Sequence, residues 1–507
     1  MLGPPATLQG FAGWGAMNVP SSGRDIEATV SDSLSGYRKT LLWAAAEGHY
    51  SIINLALRAP GAAIDAKDDA SRTPLSWAAG QGHDAIVNLL LCHKTTTVDT
   101  PDINGATPLN WAASRGHCNV VRLLIKSGKA DVNHRDKAGC TSICLASREG
   151  HTEVVALLLE EPGVNVDLPD MISATPFSWA ASQGHYNVVM LFMKHGKAAI
   201  GPQVDYGQSA LAIAANNGHT DVVRLLLEQG NTNADVQDAD GATPLSKAAA
   251  MGCYDIVELL VRSGRVNFNH QDINKRTPLS WAAGNGHCDV VAFLLEGGNI
   301  DVDLPDADGW TPLSWAASSG HHRVVELLLR RGQADARYRD TKGRSPISWA
   351  AGGGHNTIVV LLLEQGNADA DRPDNDGRTP LYWAVVEAHV EIVRSLLKSK
   401  GLDGYFPYGL PGFSLSHAVH VCRREIFKGL FRGSAHWQGD ISIPDIHDGS
   451  HSEKPHKITD DEKSMLTAAA RSGNVALVQR RLDSQAHAKC NYHEYLVALL
   501  LASINSR

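Results

Sequence analysis

An all-α solenoid of stacked helix pairs is the fold predicted for this 507-residue chain, and three features predict it. The phrase Thr73-Pro74-Leu75-Ser76-Trp77-Ala78-Ala79 returns at Thr277 and Thr311 and, with small changes, at Thr107, Thr175, Ser345 and Thr379. Copies start at 39, 73, 107, 141, 175, 209, 243, 277, 311, 345 and 379, a constant step of 34. Behind the phrase comes an apolar run such as Ile86, Val87, Leu89, Leu90 and Leu91. Neither short helix can bury its apolar side alone, so successive copies must stack.

Taken in chain order, residues 1–33 are rich in Gly, Pro and Ser and predict a disordered segment with a short helix near Asp25–Leu34. Lys39-Thr40-Leu41-Leu42-Trp43-Ala44-Ala45 is an altered first copy, as expected at a solenoid end. The copy from Asp68 to Pro101 shows the full unit. Thr73 is an N-cap hydroxyl and Pro74 takes the first helical position. Leu75, Ala78, Ala79 and Gly82 then form one stripe of a short helix. Gly82 stops that helix and His83 opens the next. Asp102-Ile103-Asn104-Gly105 suits a tight turn, so the unit closes in a hairpin-like loop.

These residues resemble the ankyrin repeat. The family pattern T-P-L-H-x-A-A-x-x-G-H is matched by Thr311-Pro312-Leu313-Ser314-Trp315-Ala316-Ala317-Ser318-Ser319-Gly320-His321, with Val324-Val325 and Leu327-Leu328-Leu329 behind it. The resemblance covers eleven copies, residues 34–407. Serine replaces the usual histidine in T-P-L-H, and the period is one residue longer than the usual 33. The extra residue falls after the second helix, as at Gly366-Asn367-Ala368-Asp369. The serine–tryptophan version looks most like arrays of filamentous-fungal proteins, which often follow a nucleotide-binding oligomerisation domain; no such domain is read here. Residues 408–432 read as a degraded twelfth repeat or cap, and 433–460 as a polar linker. Residues 461–507 read as a further helix pair with an apolar final helix from Tyr492 to Ile504.

Composition narrows the function. The net charge is −8, from 46 basic and 54 acidic residues, which argues against a phosphate-backbone partner. No apolar run is long enough to span a bilayer, and Met1–Pro20 lacks the basic start of a signal peptide. The eight cysteines are scattered without a C-x-x-C pair, which points to a reducing, intracellular compartment, the cytoplasm ahead of the nucleus. Cys140 and Cys144 lie four apart, but the sequence suggests no further ligand, so no metal site is expected. No phosphate loop, nucleophile elbow or cofactor motif stands out, and no catalytic residue is assigned.

Three lattices carry the remaining information. Ten histidines, His49 to His389, recur with the period, and the resemblance implies that each fixes its own turn. Asp102, Asp136, Asp170, Asp238, Asp272, Asp306, Asp340 and Asp374 recur as turn formers. Tryptophan recurs at Trp43, Trp77, Trp111, Trp179, Trp281, Trp315, Trp349 and Trp383, interrupted by Leu145, Ile213 and Lys247. With Leu75 at zero, Trp77 falls about 200° around the helix, away from the buried stripe. In ankyrin folds that side belongs to the concave groove.

Two readings of the tryptophans stand: a ladder in which each ring covers its neighbour, or a partner-binding platform. The partner-binding candidates are Trp77, Trp111, Trp281, Trp315, Trp349 and Trp383, with the hairpin-tip residues Met171, Ile172, Trp310, Arg276, Arg344 and Arg378. The expected function is a non-catalytic, monomeric scaffold or adaptor that grips protein partners by groove and tips. The alternatives are the sensing arm of a fungal non-self receptor and, from another class, an enzyme active in 433–507.

Overall fold

A computed structural model describes residues 34–58, 64–196, 208–228, 232–298 and 300–387, with a few further positions up to 396. The sequence readings of 1–33, 408–432, 433–460 and 461–507, including the enzyme alternative, lie outside the described residues. The chain divides into two compact units, residues 1–239 and 240–507. The repeat that opens the second unit carries Lys247 and Cys253 where most repeats carry tryptophan and histidine.

The described residues form 21 α-helices and no strand, in pairs that follow the 34-residue period. The repeat at Thr277 shows why. Thr277 is the N-cap in extended conformation, Pro278 follows, and the helix runs Pro278–Asn285. Thr277 Oγ1 accepts from Ser280 N–H at 3.1 Å, while Ser280 Oγ accepts from Thr277 N–H at 3.3 Å. Such reciprocal capping satisfies two helix-end donors, so the serine in the family's histidine position closes the cap. Gly286 ends the helix at φ +80°, and His287 caps the second helix, Cys288–Glu296.

Leu279, Ala282 and Ala283 from the first helix and Val290, Val291 and Leu294 from the second are fully buried. Each buried Val or Leu contributes roughly 1.5–3 kcal/mol, and alanine lets neighbouring first helices approach closely. Within each unit, first helices pack on first helices of the adjoining repeats and second helices on second helices.

The hairpins join edge to edge through their backbones. Ile103, Lys137 and Met171 N–H donate to the Ala70, Asn104 and Ala138 carbonyls at 2.9–3.0 Å. In the second unit, Ile273, Ala307, Thr341 and Asn375 do the same to Asp240, Asn274, Asp308 and Lys342. The fourth hairpin position is left-handed and usually glycine, yet Lys275 occupies it at φ +58°. A side chain there costs about 1–2 kcal/mol, partly offset by the entropy glycine loses on folding. Lys275→Gly should therefore raise unfolding stability by about 0.5–1 kcal/mol, read from denaturant curves. A lower midpoint would show that the Lys275 side chain makes stabilising contacts of its own.

Candidate partner-binding face

The hairpin aspartate organises this face. Asp306 Oδ1 accepts from the N–H groups of Asp308 at 3.0 Å and Trp310 at 2.8 Å, which folds the turn. Its Oδ2 accepts from Trp315 Nε1 at 2.9 Å. The same nine-residue link joins Asp68 to Trp77, Asp102 to Trp111, Asp170 to Trp179, Asp272 to Trp281, Asp340 to Trp349 and Asp374 to Trp383, at 2.8–3.2 Å. A charge-assisted bond of this kind contributes about 1.5–3 kcal/mol. The tryptophan, which helix periodicity leaves outside the fold's needs, thus ties the first helix to its own hairpin in seven repeats. The aspartates are turn formers, as read from sequence, and also ring anchors.

The rings do not cover one another directly. In four adjacent pairs a side chain from the hairpin slides between the rings. The Arg276 guanidinium lies 3.5 Å from the Trp281 ring centroid and 4.0 Å from that of Trp315. Arg344 lies 3.4 Å from Trp349 and 4.0 Å from Trp383. Trp310 fills the gap between them, 4.6 Å from Trp315 and 4.1 Å from Trp349. The second unit therefore holds one alternating column: Trp281, Arg276, Trp315, Trp310, Trp349, Arg344, Trp383. Arg378 flanks Trp383 at 5.3 Å. In the first unit Arg72 lies 4.7 Å from Trp77 and 3.8 Å from Trp111.

The filler follows its neighbours. The gaps Trp77–Trp111, Trp281–Trp315, Trp315–Trp349 and Trp349–Trp383 take Arg72, Arg276, Trp310 and Arg344. Where a neighbour is Leu145, Ile213 or Lys247, the position carries Ala106, Cys140, Ala174, Gln208 or Ala242. Large flat rings need a flat filler, whereas aliphatic neighbours close the gap themselves. Cation–π stacking of desolvated arginine is worth about 2 kcal/mol. Burial draws the Arg72 and Arg276 guanidinium pKa values down and that of Arg344 to about 10, opposed chiefly by Asp102, Asp272 and Asp340. Gly284 and Gly352 leave room for the Arg276 and Arg344 Nη2 atoms. Thus Trp310, Arg276, Arg344 and Arg378, expected at free hairpin tips, are half-buried against the tryptophans. The signal was available: each filler stands immediately before the Thr or Ser that opens the recurring phrase.

The histidines act across repeats rather than within their own turn. His321 Nε2 lies 3.1 Å from the Gly284 carbonyl, 37 residues earlier. A carbonyl only accepts, so Nε2 carries the proton. His83, His117, His151, His185, His219, His287, His355 and His389 make the same bond to the preceding repeat at 2.8–3.2 Å. With this nitrogen donating, it is not free to ligate a metal.

Some hairpin tips expose apolar side chains. Met171 is 75% exposed and Ile172 52%, with Ile103 at 51% two hairpins away in the same unit. In the second unit Ile273 is 64% exposed. Asp170 holds the Met171–Ile172 turn through the Ile172 and Ala174 N–H groups, at 3.0 and 2.9 Å. The Asp170 carboxylate and backbone bonds shape the turn, so the Met171 and Ile172 side chains do not form it.

Helix pairs that stack only on neighbours, bridged by hairpins and inter-repeat histidines, define an ankyrin-type interaction array. The family model described as Ankyrin repeats (3 copies) matches residues 41–136, 129–202, 177–272, 263–340 and 332–405. The chain belongs to the ankyrin-repeat family, whose members generally serve as protein–protein interaction modules and are typically non-catalytic. No curated protein sequence matches the chain. No helix among the described residues is long and apolar enough to cross a membrane.

Proposed function

We propose that this chain is a non-catalytic scaffold that binds a protein partner through its hairpin tips, with the aspartate-anchored tryptophans of the repeats as the rigid backing. The observation that carries this reading is the exposure of Met171 and Ile172 on a hairpin whose backbone is fully specified without them. A backbone already fixed in shape loses little entropy on binding, which favours affinity. Trp77, Trp111, Trp281, Trp315, Trp349 and Trp383, with Trp310, Arg276, Arg344 and Arg378, hold the hairpins in place and offer only ring edges and guanidinium rims to a ligand. In this reading the protein acts as a monomer inside the cell.

The test is quantitative affinity capture from the source cell's extract, comparing the wild-type chain with Met171→Ser/Ile172→Ser. The variant should lose at least about tenfold of one specific partner, since two exposed apolar anchors are each worth about 1–2 kcal/mol at an interface. Its melting profile should match the wild type, because exposed substitutions alter stability by less than about 0.5 kcal/mol. Undiminished capture by a folded variant would remove the tips from the contact surface.

A further inference from the structure

We propose that Cys140, Cys144 and Asp170 form a binding site for one soft divalent metal ion of the zinc class. The ligand atoms of these three buried side chains lie within 4.8 Å of one another. Sequence separation hides the site. Cys140 precedes the N-cap Thr141, Cys144 is the third residue of the helix Ser142–Glu149, and Asp170 belongs to the next hairpin.

The carboxylate is already oriented. Asp170 Oδ1 is committed to its turn, while Oδ2 accepts from Trp179 Nε1 at 2.8 Å and lies 4.0 Å from Cys140 Sγ. A tetrahedral zinc site, with metal–sulfur bonds of about 2.3 Å and metal–oxygen bonds of about 2.0–2.2 Å, sets its ligand atoms about 3.5–3.8 Å apart. Small side-chain rotations close the difference. The indole N–H on the carboxylate is the outer hydrogen bond that ligating groups commonly need. Three protein ligands leave one tetrahedral position for water.

The repeat pattern supports the assignment. At the filler position other repeats carry Ala, Gln, Arg or Trp, and at the third helical position chiefly Ser. Cysteine appears at both positions in one repeat only, where the two thiols meet an anchored carboxylate of the following repeat. On binding, each thiol releases its proton to solvent, and two thiolates and one carboxylate leave the site with one net negative charge. Such a site would clamp adjacent repeats at a point where Leu145 breaks the tryptophan row.

Cobalt(II) is the probe for the reduced, metal-free full chain. Titration should produce thiolate-to-cobalt charge-transfer absorption and tetrahedral d–d bands that saturate at about one equivalent per chain and vanish on adding zinc. Cys140→Ala and Cys144→Ser install the residue types found at these positions in other repeats, so both variants should keep the wild-type helical signal. Each should lose the bands, whereas Cys118→Ser and Cys288→Ser should keep them. A wild-type chain that gives no bands, or bands that persist in the Cys140→Ala/Cys144→Ser double variant, would overturn the site. So would a reduced chain that takes up no cobalt and closes a Cys140–Cys144 disulfide in air.

Discussion

Trp315→Ala should destabilise the array by about 3 kcal/mol, the lower end of the range for removing a buried large aromatic, because this ring is only half-buried. Three supports are lost at once. Asp306 Oδ2 loses its donor at 2.9 Å, Arg276 loses a ring at 4.0 Å and Trp310 a ring at 4.6 Å. The Arg276 Nε atom, already buried without a hydrogen-bond partner, then also loses the ring that shields its guanidinium. Trp315→Phe keeps a smaller ring in the column and removes the bond to Asp306, so its cost should be nearer about 1.5 kcal/mol. Chemical denaturation followed by circular dichroism orders the three proteins. A Trp315→Ala midpoint equal to wild type would mean that the column contributes nothing to folding and is free to serve as a binding platform.

The second large effect is at the turn between paired helices. Gly286 has φ +80°, and a methyl group there would lie 2.5 Å from Nδ1 of His321. The left-handed backbone alone costs alanine about 1–2 kcal/mol. The clash adds to this by driving His321 off the Gly284 carbonyl, a bond worth about 1 kcal/mol. Gly286→Ala should therefore cost about 3 kcal/mol. His321→Ala removes both the clashing ring and the hydrogen bond, so the double variant should be less unstable than the two single changes predict. That non-additivity is the mark of residues in contact. Strict additivity in a denaturation cycle would show that glycine serves only its own backbone angle.

Most of the architecture was legible because its causes are local and periodic. Thr277, Pro278 and Leu279 declare a helix start, Gly286 a stop, and Val290, Val291 and Leu294 the packed side of the second helix, all within one period. The site was less legible because its contacts leave the helix. Trp315 looked superfluous to the helical stripe, yet its partner Asp306 lies in the preceding hairpin, where helical periodicity no longer applies. Arg276 and Trp310 looked like exposed tips because a turn position does not reveal which way a long side chain runs. Stacking turns them inward. His321 was assigned to its own turn, whereas its bond reaches 37 residues back. Met171 and Ile172 stayed where the sequence put them, since nothing in their turn has a use for an apolar side chain.

In the second unit the tryptophan column holds adjacent repeats together, so that their hairpins present a rigid face. Because repeat arrays unfold locally, hydrogen exchange resolved by mass spectrometry tests this most directly. In Trp315→Ala, amide exchange should accelerate in Pro278–Asn285, Pro312–Ser319 and Pro346–Gly352, the helix of the substitution and its two neighbours in the column, and stay at the wild-type rate in helices of the first unit such as Pro74–Gln81. Wild-type exchange rates in all three of these helices would contradict this role of the column.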